Sequence, residues 1–118
     1  MMFRKSLIPA LLLLTLPALA GDKKVLRIDS LIATQHDGVI TVQAKGAVMS
    51  GGWKNPRLKL VKSDGHGATF EFIAAPPPSS MTVIDAVVPV TATAQIRAKA
   101  EAVRASAEEN EMTTQVLH

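Results

Sequence analysis

The chain has 118 residues, no cysteine and a formal net charge of +3, which limits it to one small domain and excludes disulfide staples, thiolate metal sites and cysteine nucleophiles. Two of its thirteen Lys and Arg residues, Arg4 and Lys5, belong to an N-terminal leader, so eleven remain against ten Asp and Glu. That balance is too even for the basic footprint of a nucleic-acid-binding domain.

Residues 1–20 read as a secretory signal peptide. Phe3-Arg4-Lys5 is a short basic start, residues 7–16 are an apolar run, and Pro17-Ala18-Leu19-Ala20 ends in a small-x-small site. Cleavage is expected between Ala20 and Gly21. A membrane anchor needs about 20 apolar residues, and residues 7–20 are interrupted by Pro9, Thr15 and Pro17. No cysteine follows the run, which excludes a lipid anchor at the cut. The expected address is the periplasm of a Gram-negative host, or otherwise outside the cell, and residues 21–118 are expected to form a single β domain.

Residues 21–24 are a solvated start. Residues 25–34 are β-branched and aliphatic and predict a strand with Leu26, Ile28 and Ser30 on one face. Asp37-Gly38 is a strong hairpin signal, and residues 39–48 return as a strand with Ile40, Val42 and Ala44 facing in. Residues 49–56, Met-Ser-Gly-Gly-Trp-Lys-Asn-Pro, predict a loop. Residues 57–62 and 68–75 alternate cleanly around the turn at 63–67. Leu58 and Leu60 face Phe70 and Phe72 in this second hairpin.

Pro76-Pro77-Pro78 cannot join a ladder. It is a crossover, or a short polyproline segment of the kind that enters aromatic grooves. Residues 81–90 are nearly all apolar and predict a further strand, with Pro89 pointing to an edge or a bulge. Residues 92–111 are ambiguous. Alanine and charge content favour a helix, with Ile96, Ala100, Val103 and Ala107 as a stripe, yet residues 99–107 also alternate at period two. Short strands, recurrent turn signals and no βαβ rhythm together predict a mainly β chain. The expected architecture is a small immunoglobulin-like antiparallel β-sandwich.

Residues 46–58, GAVMSGGWKNPRL, and the FEFIAAPPP run at 70–78 resemble a family of small uncharacterised exported bacterial proteins. The shared features are a leader, a GGWxNPxL loop, an FxF strand ending at prolines, and a last segment around a Val-Arg pair and an asparagine. Here these are Val103-Arg104 and Asn110. The resemblance implies that residues 99–107 are a strand, with helix as the alternative, and it carries no activity.

Trp53 is the chain's one tryptophan, set in a Gly-Gly loop beside Lys54, Asn55 and Arg57. Tryptophan and arginine are over-represented in binding hot spots, so this loop is the candidate contact surface. Alternatively Trp53 plugs one end of the sandwich, Gly51 and Gly52 allowing the close approach, while Asn55 caps the turn. His36, His66 and His118, with Met49, Met81 and Met112, show no paired ligand spacing, and no metal or other cofactor is expected. Ser63, Asp64 and His66 are explained by turn chemistry, and no nucleophile elbow accompanies Ser50, Ser79 or Ser80. The expectation is a non-enzymatic periplasmic binding module whose partner is an envelope protein or other periplasmic component. The alternatives are a small protease inhibitor, a periplasmic ligand-binding protein, or copper handling.

Overall fold

The computed structural model describes residues 21–118; the leader assigned to residues 1–20 lies outside the described residues. From residue 23 onward every regular element is a strand: β1 (Lys23–Lys24), β2 (Arg27–His36), β3 (Val39–Val48), β4 (Lys54–Ser63), β5 (Gly67–Ala75), β6 (Val88–Arg97), β7 (Ala102–Ser106) and β8 (Glu111–Leu117). They form one curled sheet in the order β1-β5-β7-β8-β2-β3-β6, with β4 on the other edge of β5. β4 and β6, each bonded to a neighbour along one side only, lie against each other without a ladder. The chain is therefore mainly β and sandwich-like, and its C-terminal third is stranded as the family resemblance implies.

The sheet is mixed, whereas antiparallel pairing throughout was expected. β5 pairs with β7 in parallel, and so does β2 with β8. Parallel neighbours need a crossover of a dozen residues or more, and between β5 and β7 the chain supplies one through residues 76–101. β8 joins the two halves, pairing antiparallel with β7 and parallel with β2. A second stitch lies at the start of the chain. Val25 N–H donates to Phe72 O and Leu26 N–H to Ala47 O, both at 2.9 Å, so consecutive residues bond to opposite halves.

The two expected hairpins are present. Asp37 and Gly38 both have positive φ, 52° and 78°, as a two-residue turn matched to strand twist requires. β4 and β5 pair Leu58 with Phe72 and Leu60 with Phe70. Phe70, Phe72, Ile40, Val25, Val42, Val48 and Val103 are the largest fully buried side chains.

The inward face of β2 differs from the simple alternation. A register shift between Ile28 and Ser30 inserts one residue, and a bulge of that kind changes which parity points inward. Ile28 is buried before it, and Leu31 and Ala33 after it. Opposite the bulge stands Gly46, where a Cβ would lie 2.1 Å from the Arg27 carbonyl oxygen. Only glycine admits that approach.

Residues 81–87 are a loop, and the strand expected over 81–90 begins only at Val88. The prolines turn the chain, and Met81 N–H closes a turn by donating to Pro78 O at 2.9 Å. Apolar character without a neighbouring strand edge does not make a strand. Conversely, residues 92–97 and 102–106 of the alanine-rich stretch are recruited into β6 and β7 because β3 and β5 offer long edges, and tertiary pairing overrides a helix preference of this size.

Candidate functional site

β3 ends at Val48, which pairs with Val88 at the start of β6. Met49 and Val87 are the first residues of the two loops that leave this pair. The loop after β3 is locked to the loop before β6. Gly51 N–H donates to Ile84 O at 3.0 Å. Gly52 has φ +88°, and a Cβ there would meet Pro77 Cβ at 2.9 Å, Val83 Cγ1 at 3.1 Å and Met81 Sδ at 3.2 Å. The Gly-Gly pair thus serves the contact between the two loops.

This junction carries an apolar surface. Ile84 is 75% exposed, Met49 50%, Val87 47% and Met81 42%. Large apolar side chains gathered on adjoining loops mark contact surfaces more often than chance exposure does. Met81, Ile84 and Val87 fall within the strand expected over residues 81–90; the interruption of that apolar stretch by Thr82 and Asp85 out of step with a period of two is the signal against a strand.

Trp53 lies beside this junction, half-buried and packed against the core. Its open side lines a shallow depression shared with Lys23, Lys24 and Glu108. Lys54 is exposed and pairs with Ala75. Between Lys54 and Arg57 the register shifts, and Asn55 takes φ +54°, a conformation asparagine tolerates better than most residues. Arg57 donates from Nη1 to the Asn55 carbonyl at 3.2 Å and bonds the Asp22 carboxylate through Nη2. The bulge turns Arg57 to the outer face, beside Asp22, Lys24, Lys59 and Glu71. Trp53 and Arg57 therefore occupy separate depressions.

The other end of the molecule is built by the β4–β5 turn. Asp64 Oδ1 accepts from His66 N–H at 2.8 Å and Gly67 N–H at 2.9 Å. These backbone donors hold its carboxyl below the ordinary value of 3.8, with help from Lys62 and His66. The side chain is committed to the turn. A depression beside it is lined by Lys62, His66, Thr69, Arg104 and Thr113, and Arg104 faces Glu111 at 3.9 Å.

His36 lies 3.3 Å from Asp37, and His66 lies 4.0 Å from Glu101, all strongly exposed. Among the described residues no group of three or more His, Cys, Asp or Glu converges on a point. Among them, too, no helix is long and apolar enough to cross a membrane. Comparison with protein families, with curated proteins and with solved structures finds no match to this chain.

Proposed function

We propose that the chain is an exported, non-enzymatic binding module that meets an envelope protein or other periplasmic component through the joined loops at 49–53 and 76–87. The observation that carries this reading is the exposure of Met49, Met81, Ile84 and Val87 on loops tied together at Gly51 and Gly52. Binding loops held by a rigid sheet are a common device, and contact surfaces are enriched in methionine and depleted of charge at their centre. Trp53 and Lys54 flank this surface, the indole as a supporting wall and Lys54 at the rim, while Asn55 shapes the bulge that turns Arg57 away to the outer face. The leader motif supplies the address, periplasmic in a Gram-negative host or secreted otherwise. The non-enzymatic reading rests on the use made of the titratable groups: Asp64 holds a turn, while Arg27 and Asp29, Arg57 and Asp22, and Arg104 and Glu111 form surface pairs.

The test places a photo-crosslinking amino acid at Ile84 or, as a control, at exposed Gln43, in the exporting host. Discrete adducts from position 84 and none from 43 are expected. Equal adducts from both, or none from 84, overturn the reading.

A further inference from the structure

One row of residues crosses the outer face of β4, β5, β7 and β8. Lys62 pairs with Thr69, Thr69 with Arg104, and Arg104 with Thr113. Paired residues share a face of the sheet, so two cationic side chains alternate with two hydroxyls. All four line one depression of about 360 Å³, open to solvent. Neighbouring strands lie about 4.8 Å apart, which sets the backbones of Lys62 and Arg104 roughly 10 Å from each other. Half-buried Thr69 stands between them.

Lys62 stands in this row because of a bulge. Leu60 pairs with Phe70 and Lys62 with Thr69, which leaves Val61 unopposed. In unbroken register Val61 would face Thr69, and Lys62 would face Ala68, a residue of the buried core. The extra residue turns Lys62 to the outer face and leaves Val61 55% exposed. Bulges that re-aim a side chain in this way gather beside functional sites.

The donors of the row are not satisfied within the chain. Among the described residues Lys62 makes no ion pair. Arg104 meets Glu111 only at 3.9 Å, beyond hydrogen-bond reach, with both side chains more than half exposed. The hydroxyl bonds of the described threonines are those of Thr41 and Thr114, so the hydroxyls of Thr69 and Thr113 are unbonded. Asp64, at the margin of the depression, gives Oδ1 to the N–H groups of His66 and Gly67.

We infer that this row is a binding site for a phosphate monoester, held over Thr69 between Lys62 and Arg104. Charge and donor count select that class. A phosphoryl group carries about −1.5 to −2 at neutral pH and three acceptor oxygens, which answers two cations and the hydroxyls beside them. A carboxylate has two oxygens and a single charge, and leaves one base unmatched. The planar Arg104 guanidinium takes two phosphoryl oxygens side by side, Lys62 meets the third as a point charge, and the Thr69 hydroxyl donates from below. Glu111 is the competitor that the ligand displaces from Arg104. The site lies at the β4–β5 turn, away from the loop surface at Ile84.

Amide chemical shifts of the chain, followed at constant ionic strength on titration with glycerol 3-phosphate, test this, with acetate as the carboxylate control. Saturable shifts at residues 62–69, 102–106 and 113 are expected with glycerol 3-phosphate and not with acetate. Lys62→Gln and Arg104→Gln are each expected to weaken binding about tenfold, the size of one lost charge-assisted hydrogen bond. Lys59→Gln removes the same charge from the same strand, in the neighbouring depression, and is expected to leave binding unchanged. All three positions are exposed, so the variants keep the fold. Co-sedimentation with phosphatidylcholine vesicles, with and without phosphatidic acid, separates the sources. Capture by phosphatidic acid that is lost in Arg104→Gln assigns a lipid-borne monoester, and saturation by glycerol 3-phosphate without capture assigns a free one. Binding to neither overturns the inference. So does an equal response to acetate, or equal weakening by Lys59→Gln and Lys62→Gln. None of these results bears on whether Ile84 contacts an envelope protein.

Discussion

The side-chain amide of Asn110 pairs with the backbone of Ile28 on both sides, accepting its N–H at 2.8 Å and donating to its carbonyl at 2.9 Å. Asn110 thus stands in for a missing strand residue beside the β2 bulge. Neighbouring bonds extend the clamp: Glu108 N–H donates to Val25 O and Glu109 N–H to Leu26 O, both at 2.9 Å. The β7–β8 loop is therefore fastened along the segment where the chain passes from one half of the sheet to the other.

Asn110→Ala leaves a donor and an acceptor of Ile28 without partners, at a cost of about 1–3 kcal/mol for each group left buried and unsatisfied. Asn110→Asp keeps the acceptor for the N–H but sets a carboxylate against the carbonyl, and is also destabilising. Urea midpoints are expected to fall in both variants. An unchanged midpoint in Asn110→Ala shows that the clamp does not contribute.

Gly46→Ala and Gly65→Ala are expected to move in opposite directions. At Gly46 the new methyl collides with backbone, the Arg27 carbonyl at 2.1 Å, and the loss reaches or exceeds the roughly 1–3 kcal/mol of an overpacked site. Gly65 has open space around it and no positive φ. Alanine there restricts the unfolded chain and raises stability by about 0.4–1 kcal/mol. Thermal melts of the two variants side by side make the comparison.

Trp53 is half-buried, and its fluorescence reports that directly. Emission is expected between the buried and exposed extremes, with partial quenching by acrylamide. Trp53→Ala costs less than the roughly 3–5 kcal/mol of a fully buried large aromatic. A loss in that full range would place the indole deep in the core.

The Asp64 turn gives a sign for pH. Its folded carboxyl lies below the ordinary 3.8, so its contribution is present above that value and is lost as pH falls through the depressed folded value. Asp64→Asn retains an oxygen for the His66 and Gly67 N–H groups but does not titrate. Stability of Asp64→Asn is expected to decline less than that of the wild type on acidification below 3.8. Parallel acid titrations of the two chains would contradict this.

Ile84→Ser exchanges an exposed apolar group for a small polar one. Stability is expected to stay within about 0.5 kcal/mol, so loss of the cross-linked partner in this variant would come from the contact surface. A large fall in the melting temperature would instead make Ile84 part of the core.

The hairpins were legible because their signals are local. Asp37-Gly38 sets the first turn, and the alternation of Phe70 and Phe72 sets the inward face of β5. The bulge before Ser30 was not legible, because Leu26, Ile28 and Ser30 continue an even phase that the backbone breaks. Residues 92–106 were equivocal since alanine suits a helix in isolation, and only the long edges of β3 and β5 decide otherwise. Trp53 was visible as a singular residue. Its neighbours Met81, Ile84 and Val87 were harder to place, because the apolar stretch around them is broken only by Thr82 and Asp85, out of step with a strand.

β2 and β8 lie side by side and run in the same direction, meeting at Ala33–Val116 and Thr34–Leu117. A pull that draws the start of β2 backward and the end of β8 forward acts along both strands. It shears the bonds between them together instead of peeling them one by one. The curled sheet is thus braced along its own length, and a tether at either end would load the strand pair in its stiffest direction.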